Sequence, residues 1–129
     1  MYYDKAIALD DKDAVLYNNK GKALYSLEKY EEDIACYDKA IALDDKNAVF
    51  YSNKGNALGH LEKYDEAIEC CDKAIALDDK DAVFYSNKGD ALYFLEKYEE
   101  AIACYDKAIE LDPENNITQE NRNKCLEKI

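Results

Sequence analysis

The chain has 129 residues, enough for one domain and too few for two ordinary ones, and 36% of them are charged. Its formal net charge of −12, from 17 basic and 29 acidic residues, repels a phosphate backbone and leaves no basic stripe for nucleic acid or an anionic membrane surface. Apolar runs span only a few residues and no charged-then-apolar leader opens the chain, so the expectation is a cytoplasmic protein, or one whose leading segment lies upstream.

With four Gly, one Pro and no Trp, and with Ala, Leu, Ile, Glu, Lys and Tyr dominant, the composition favours helices. Taken from the front, residues 1–13 align only with the end of a later unit, because Tyr3-Asp4-Lys5-Ala6-Ile7-Ala8-Leu9 matches 37–43. They read as a second helix with no first helix to pair with. Ala14-Val15-Leu16-Tyr17 then returns as Ala48-Val49-Phe50-Tyr51 and as Ala82-Val83-Phe84-Tyr85, an offset of 34 each time (48 − 14 = 82 − 48). The full repeats are therefore 14–47, 48–81 and 82–115, and 24 of 34 positions are identical between the last two. Each predicts two helices. In the third, Phe84, Tyr85, Ala91, Leu92 and Leu95 form one apolar stripe, and Tyr98, Ala101, Ile102, Tyr105, Ala108, Ile109 and Leu111 form another. Neither helix buries its stripe alone, so the hairpins must stack. Asp-rich joints such as Asp78-Asp79-Lys80-Asp81 are suited to cap the following helix. Residues 116–129 align with the first half of a repeat and predict a solvating helix, polar at Gln119, Glu120, Arg122, Asn123 and Lys128.

The third repeat reads Tyr85-x2-Lys88-Gly89-x2-Leu92, then Ala101-x3-Tyr105, then Pro113, which resembles the tetratricopeptide (TPR) pattern over nearly the whole chain. Gly21, Gly55 and Gly89 stand at that family's Gly, and Ala67 and Ala101 at its small second-helix position. The resemblance implies an all-α solenoid of helical hairpins wound as a right-handed superhelix: three full repeats, a partial N-terminal helix and a C-terminal capping helix. Three departures stand out. Lys20, Lys54 and Lys88 replace the Leu before Gly, with stems able to lie over the hairpin while the ammonium stays wet. Glu28, Glu62 and Glu96 replace the Gly that ends the first helix, which predicts a turn without its usual left-handed residue. Asp33 replaces the small residue and reads as a local defect, because a carboxylate there is costly unless it reaches water or a lysine.

What the resemblance implies about function is a groove lined by the first helices that holds a polypeptide. Its positions here are Asn19, Asn53 and Asn87, continued by Asn121, a ladder of amides able to hold a peptide backbone. Beside them stand Asn18, Ser52 and Ser86. The groove positions that vary between repeats are Lys22, Tyr25 and Ser26, then Asn56, Gly59 and His60, then Asp90, Tyr93 and Phe94. Variation in a uniform array is where specificity would be written, with Tyr25, Tyr93 and Phe94 as anchors. The groove is expected to be mildly acidic and its partner basic or neutral. TPR domains that clamp acidic chaperone tails use Lys and Asn, then Asn, then Lys and Arg. The matching positions are Asn18, Lys22, Asn53, Val83 and Asn87, of which only Asn53 agrees, so no clamp is expected.

A rival reading is self-assembly. Tyr3, Ala6 and Ile7 lack a first helix, and Cys125, Leu126 and Ile129 of another copy could cover them head to tail, giving a homo-oligomer. Catalysis, metal and cofactor have no support in the residues. His60 is the single His, acidic pairs recur at repeat spacing as a solvated face, and no phosphate loop, nucleophile motif or EF-hand is present. The five Cys (36, 70, 71, 104 and 125) form no CxxC pair and read as small apolar residues in a reducing compartment. An RNA-binding pentatricopeptide solenoid would need a basic groove, which the net charge of −12 argues against.

Overall fold

The computed structural model describes residues 2–9 and 11–129, with the side chains of residues 2, 8 and 9 outside the described part. Eight helices follow in order among the described residues: α1 (Tyr2–Leu9), α2 (Ala14–Ser26), α3 (Tyr30–Leu43), α4 (Ala48–His60), α5 (Tyr64–Leu77), α6 (Ala82–Phe94), α7 (Tyr98–Leu111) and α8 (Asn116–Leu126). The chain is all-α. Its hairpins α2–α3, α4–α5 and α6–α7 are the most intimate pairs, and each packs on the next. Helices α2, α4, α6 and α8 each also touch the next of that set, whereas α3, α5 and α7 do not touch one another. The first helices therefore line the tighter, inner side of the solenoid.

Helix starts follow from the joints. Asp13, Asn47, Asp81 and Asn115 stand in extended backbone, and each accepts a hydrogen bond from the N–H two residues on. The second helices lack such a cap but carry acidic first turns (Glu31 and Glu32, Asp65 and Glu66, Glu99 and Glu100) that suit the N-terminal dipole.

The turn inside each hairpin corrects an expectation. Glu28, Glu62 and Glu96 adopt φ of 60°, 62° and 62°, the left-handed conformation that Gly normally supplies. Lys29 N–H reaches Leu24 C=O and Glu28 N–H reaches Tyr25 C=O, and the same two bonds recur at Lys63 and Glu62 and at Lys97 and Glu96. This is a complete Schellman closure. Two backbone bonds and the packing of the hairpin hold each Glu where its own Cβ is disfavoured.

Small residues set how closely paired helices approach. A Cβ added at Gly21 would sit 2.5 Å from the Tyr37 ring, and one at Gly89 would sit 2.7 Å from the Tyr105 ring. Tyr37 and Tyr105 are almost wholly buried there. In the middle hairpin Cys71 takes that position, and a Cβ at Gly55 would meet Cys70 Cβ at 3.1 Å and Cys71 Sγ at 3.5 Å. The buried thiols of Cys70, Cys71 and Cys125 are core residues, and burial pushes the Cys71 thiol up to about 12.

Position 33 behaves differently from its counterparts. Ala67 and Ala101 are buried hydrophobes, and Asp33 is equally inaccessible at 0% exposure. Neither of its oxygens has a hydrogen-bond partner in good geometry. Burial pushes its carboxyl up to about 7, with the backbone N–H of Ile34 pulling the other way.

A seam of ion pairs ties successive units together. Lys20 pairs with Asp4, Lys54 with Asp38 at 2.6 Å, Lys88 with Asp72 at 2.7 Å, and Arg122 with Asp106. Each joins a first helix to the second helix of the preceding unit. The three Lys do keep their ammonium groups at the surface, but their partners are specific carboxylates and not water alone.

Candidate functional site

The inner face of α2, α4, α6 and α8 brings together most of the groove residues expected from the sequence. The amide ladder, however, is partly spent inside the molecule. Asn53 Nδ2 donates to Asn18 Oδ1 at 3.0 Å, and Asn121 Nδ2 donates to Asp90 Oδ1 at 3.4 Å. Asn18 and Ser52 are buried, at 8% and 5% exposure, and the Asn53–Asn18 bond braces α2 against α4. Ser86 Oγ donates to the Val83 carbonyl of its own helix. Asn19 and Asn87 are half-buried, and no hydrogen bond to either side chain is found among the described residues.

The variable positions form two clusters. At the front, Asn56 Nδ2 donates to the Tyr25 hydroxyl at 2.9 Å, and that hydroxyl lies 2.8 Å from His60 Nε2. Tyr30 stacks on His60 with centroids 4.6 Å apart and planes 3° from parallel. His60 thus has partners that lie in other helices, beyond what its own sequence neighbourhood signals. At the back, Tyr64 stacks on Phe94 at 5.2 Å, and Tyr93 meets both Phe94 and Tyr98 edge-on. Tyr30 and Tyr64 were not expected as groove residues. The available signal was their recurrence four residues after His60's and Phe94's counterparts, at the start of the second helix.

Two adjoining depressions open on this face. One, of about 170 Å³, lies between α4 and α6 and is lined by residues including Gly59, His60, Tyr64, Asn87, Asp90 and Phe94. The other, of about 270 Å³, lies between α6 and α8 and is lined by Asp90, Tyr93, Phe94, Tyr105, Asn121 and Lys124. Asp90 and Phe94 form the ridge they share. The Tyr105 hydroxyl donates to Asp90 Oδ1 at 2.6 Å. Burial raises the Asp90 carboxyl above its ordinary range, against the lowering by Tyr105 and Asn121.

The expected acidity of the groove is not found in its walls. Asp90 is the single carboxylate lining the two depressions, and Lys124 of α8 lines the second of them. The surplus acid sits in the exposed first turns of α3, α5 and α7 and in the Asp-rich joints. Lys22 is exposed on α2.

At the two ends, Leu126 and Ile129 are 45% and 64% exposed, and Tyr3, Ala6 and Ile7 are half-buried against α2. Cys125 does not belong to that outer face. It is fully buried with Leu92, Ala101 and Tyr105, because α8 turns its Cys edge onto the last hairpin. Among the described residues no group of three or more His, Cys, Asp or Glu is placed to hold a metal ion, and no helix is long and apolar enough to cross a membrane.

Comparison with known proteins agrees with this geometry. A family model described as tetratricopeptide repeat matches residues 48–81 and 82–115, and a second, described as TPR repeat, matches 21–61. No curated protein matches the chain. Among solved structures, the first TPR of Spaghetti (RPAP3), bound to the HSP90 peptide SRMEEVD, superposes with a TM-score of 0.88 at 32% identity, covering 92% of this chain and 94% of that one. The second TPR domain of human RPAP3, in complex with the HSP70 peptide SGPTIEEVD, is similar at 31% identity and a TM-score of 0.83, over 87% of this chain and 93% of that one. YrrB, described as a TPR protein with an unusual peptide-binding site, shares 29% identity at a TM-score of 0.87, over 98% of this chain and 65% of its own.

Proposed function

We propose that this chain, which belongs to the tetratricopeptide-repeat family, is a non-catalytic interaction module that holds an extended polypeptide along its inner face. The observation that carries the reading is the pair of depressions meeting at Asp90 and Phe94, where the variable positions of α4, α6 and α8 converge. The free amides of Asn19 and Asn87 lie on the same face and can serve a guest backbone without reading its sequence. Two of the similar structures hold acidic chaperone tails, but this groove is built for another guest. Val83, 54% exposed, stands where a clamp carries Lys, and Asn87 stands where it carries Arg. Asn53 donates its amide to Asn18, and the ridge of the groove is a carboxylate. A neutral or basic segment suits it better. The five free thiols accord with a reducing compartment such as the cytoplasm.

An unbiased displayed-peptide selection on the purified protein tests this, followed by binding to Asn87→Ala and Tyr93→Ala variants. Tyr93→Ala is expected to weaken selected peptides by about 1–3 kcal/mol. Peptides that bind both variants as tightly as the parent would place the guest elsewhere.

A second reading, head-to-tail self-association, has its own observation. Leu126 is exposed where each full unit buries its counterpart (Leu24, Leu58 and Leu92) under a second helix, Ile129 is exposed near it, and α1 is a second helix with its Tyr3, Ala6 and Ile7 half-covered. Such a contact is heterologous and grows with concentration. Light scattering over a concentration series decides it, and a mass that stays at one chain throughout sinks it.

A further inference from the structure

We infer that the depression between α4 and α6 is the seat for one cationic side chain, Lys or Arg, of the bound polypeptide. This rests on the groove reading above and adds to it the chemistry of one contact.

Shape comes first. The position held by Tyr25 and Tyr93 in the flanking units is Gly59 here, and a Cβ built on Gly59 meets nothing within 4 Å. Behind it, the ring that Tyr37 and Tyr105 lay on the helix glycine is replaced by the thiol of Cys71, and Gly55 joins the lining. The middle unit has thus lost two aromatic side chains on one side of α4. What remains at α4 is a side-chain-sized hollow of about 170 Å³, next to the wider depression of about 270 Å³ between α6 and α8.

The walls come next. Tyr64, Phe94 and His60 line it, Tyr64 and Phe94 as a stacked pair with planes 11° apart and His60 with its ring stacked on Tyr30. Aromatic faces attract a cation while covering its aliphatic stem, and Arg stacks on them flat. Asp90 is the single carboxylate among the lining residues, which include no Lys or Arg; Lys124 lines the adjoining depression that shares Asp90, and no ion pair joins the two among the described residues. Its Oδ1 is fixed by Tyr105 and Asn121, and its Oδ2 makes no hydrogen bond among the described residues. A carboxylate aimed by two neighbours, poorly solvated and with one oxygen free, gains from a cation that restores its lost hydration. The overall charge of −12 draws the same class of guest. An anionic side chain would meet Asp90 directly, and a purely apolar one would leave it uncompensated.

Two substitutions already present elsewhere in the array probe the seat without foreign packing. Gly59→Tyr restores the residue of the flanking units, and Asp90→Asn installs the residue that the middle unit carries as Asn56. A displayed library of random peptides is selected in parallel on the parent and on each variant, with folding checked by circular dichroism. The parent is expected to yield peptides with Lys or Arg at one fixed position, and both variants are expected to lose that preference. Replacing the fixed Arg by citrulline, or the fixed Lys by norleucine, is expected to weaken binding to the parent by about tenfold and leave binding to Asp90→Asn nearly unchanged. Peptides that bind the parent with no fixed cationic position, or that tolerate the neutral replacement, overturn the cation seat and leave groove binding standing. A parent that selects nothing above a bare support overturns groove binding and the seat together.

Discussion

The first and third hairpins share their caps, their Schellman turns and the tyrosine laid on glycine, yet the buried faces of their second helices differ at one point. Where the third has Ala101, closely packed and apolar, the first has Asp33, equally inaccessible and without a partner. The two hairpins pair their helices equally closely, with no sign that the backbone has moved aside to admit the carboxyl. The lesson is that in a stacked array the neighbours impose the geometry, and a misfit residue is held in place at a cost in free energy.

The comparison can be broken most severely by exchanging that one residue. Asp33→Ala is expected to raise stability by about 2–3 kcal/mol, and Ala101→Asp to lower it by a similar amount, both read from urea unfolding. The pH dependence gives an independent check. With the folded carboxyl raised to about 7 from an ordinary 3.8, its favourable neutral form is fully present below about pH 4, and that contribution is lost as pH rises through 7. The parent should therefore lose stability between those limits more steeply than Asp33→Ala does, and parallel pH profiles would remove Asp33 as the source.

A smaller contrast lies at the helix glycines. Gly89→Ala drives a methyl into the Tyr105 ring and is expected to cost about 1–3 kcal/mol. Gly55→Ala meets Cys70, the Ala67 carbonyl and Cys71 at 3.1, 3.2 and 3.5 Å, none as close as the Tyr105 ring, so its cost should be less. Equal costs in thermal unfolding would show that the ring is not what fixes the spacing. The turns come next: Glu28→Gly, Glu62→Gly and Glu96→Gly should each gain up to about 1 kcal/mol by relieving a left-handed Cβ, additively in calorimetry. The seam pairs are expected to matter least. Lys88→Met should change stability by under about 1 kcal/mol, with the change shrinking as salt is added.

The helices, their pairing and most of the core were legible because a 34-residue period repeats the same apolar stripes at fixed positions. The seam is legible as a charge pattern. Lys20, Lys54, Lys88 and Arg122 each stand 16 residues after an acidic partner, a constant separation of opposite charges. The groove was only half legible. Which residues face inward follows from the period, but whether an amide is free depends on rotamers set across two helices. Asn53 and Asn121 are engaged while Asn19 and Asn87 are not, though all four hold one repeat position. The left-handed glutamates could not be anticipated from residue preference, because tertiary closure overrode it.

Asp33 also bears on the order in which the molecule comes apart. Each unit of the stack is held by its immediate neighbours, so opening begins at the weakest link and spreads by steps. That link lies in α3, next to the front end, while both depressions lie on α4, α6 and α8 behind it. Amide exchange should therefore run fastest from α1 through α3 and slowest in the last hairpin, a gradient directed along the chain. The front can fray and re-form while the surface that receives a guest stays assembled.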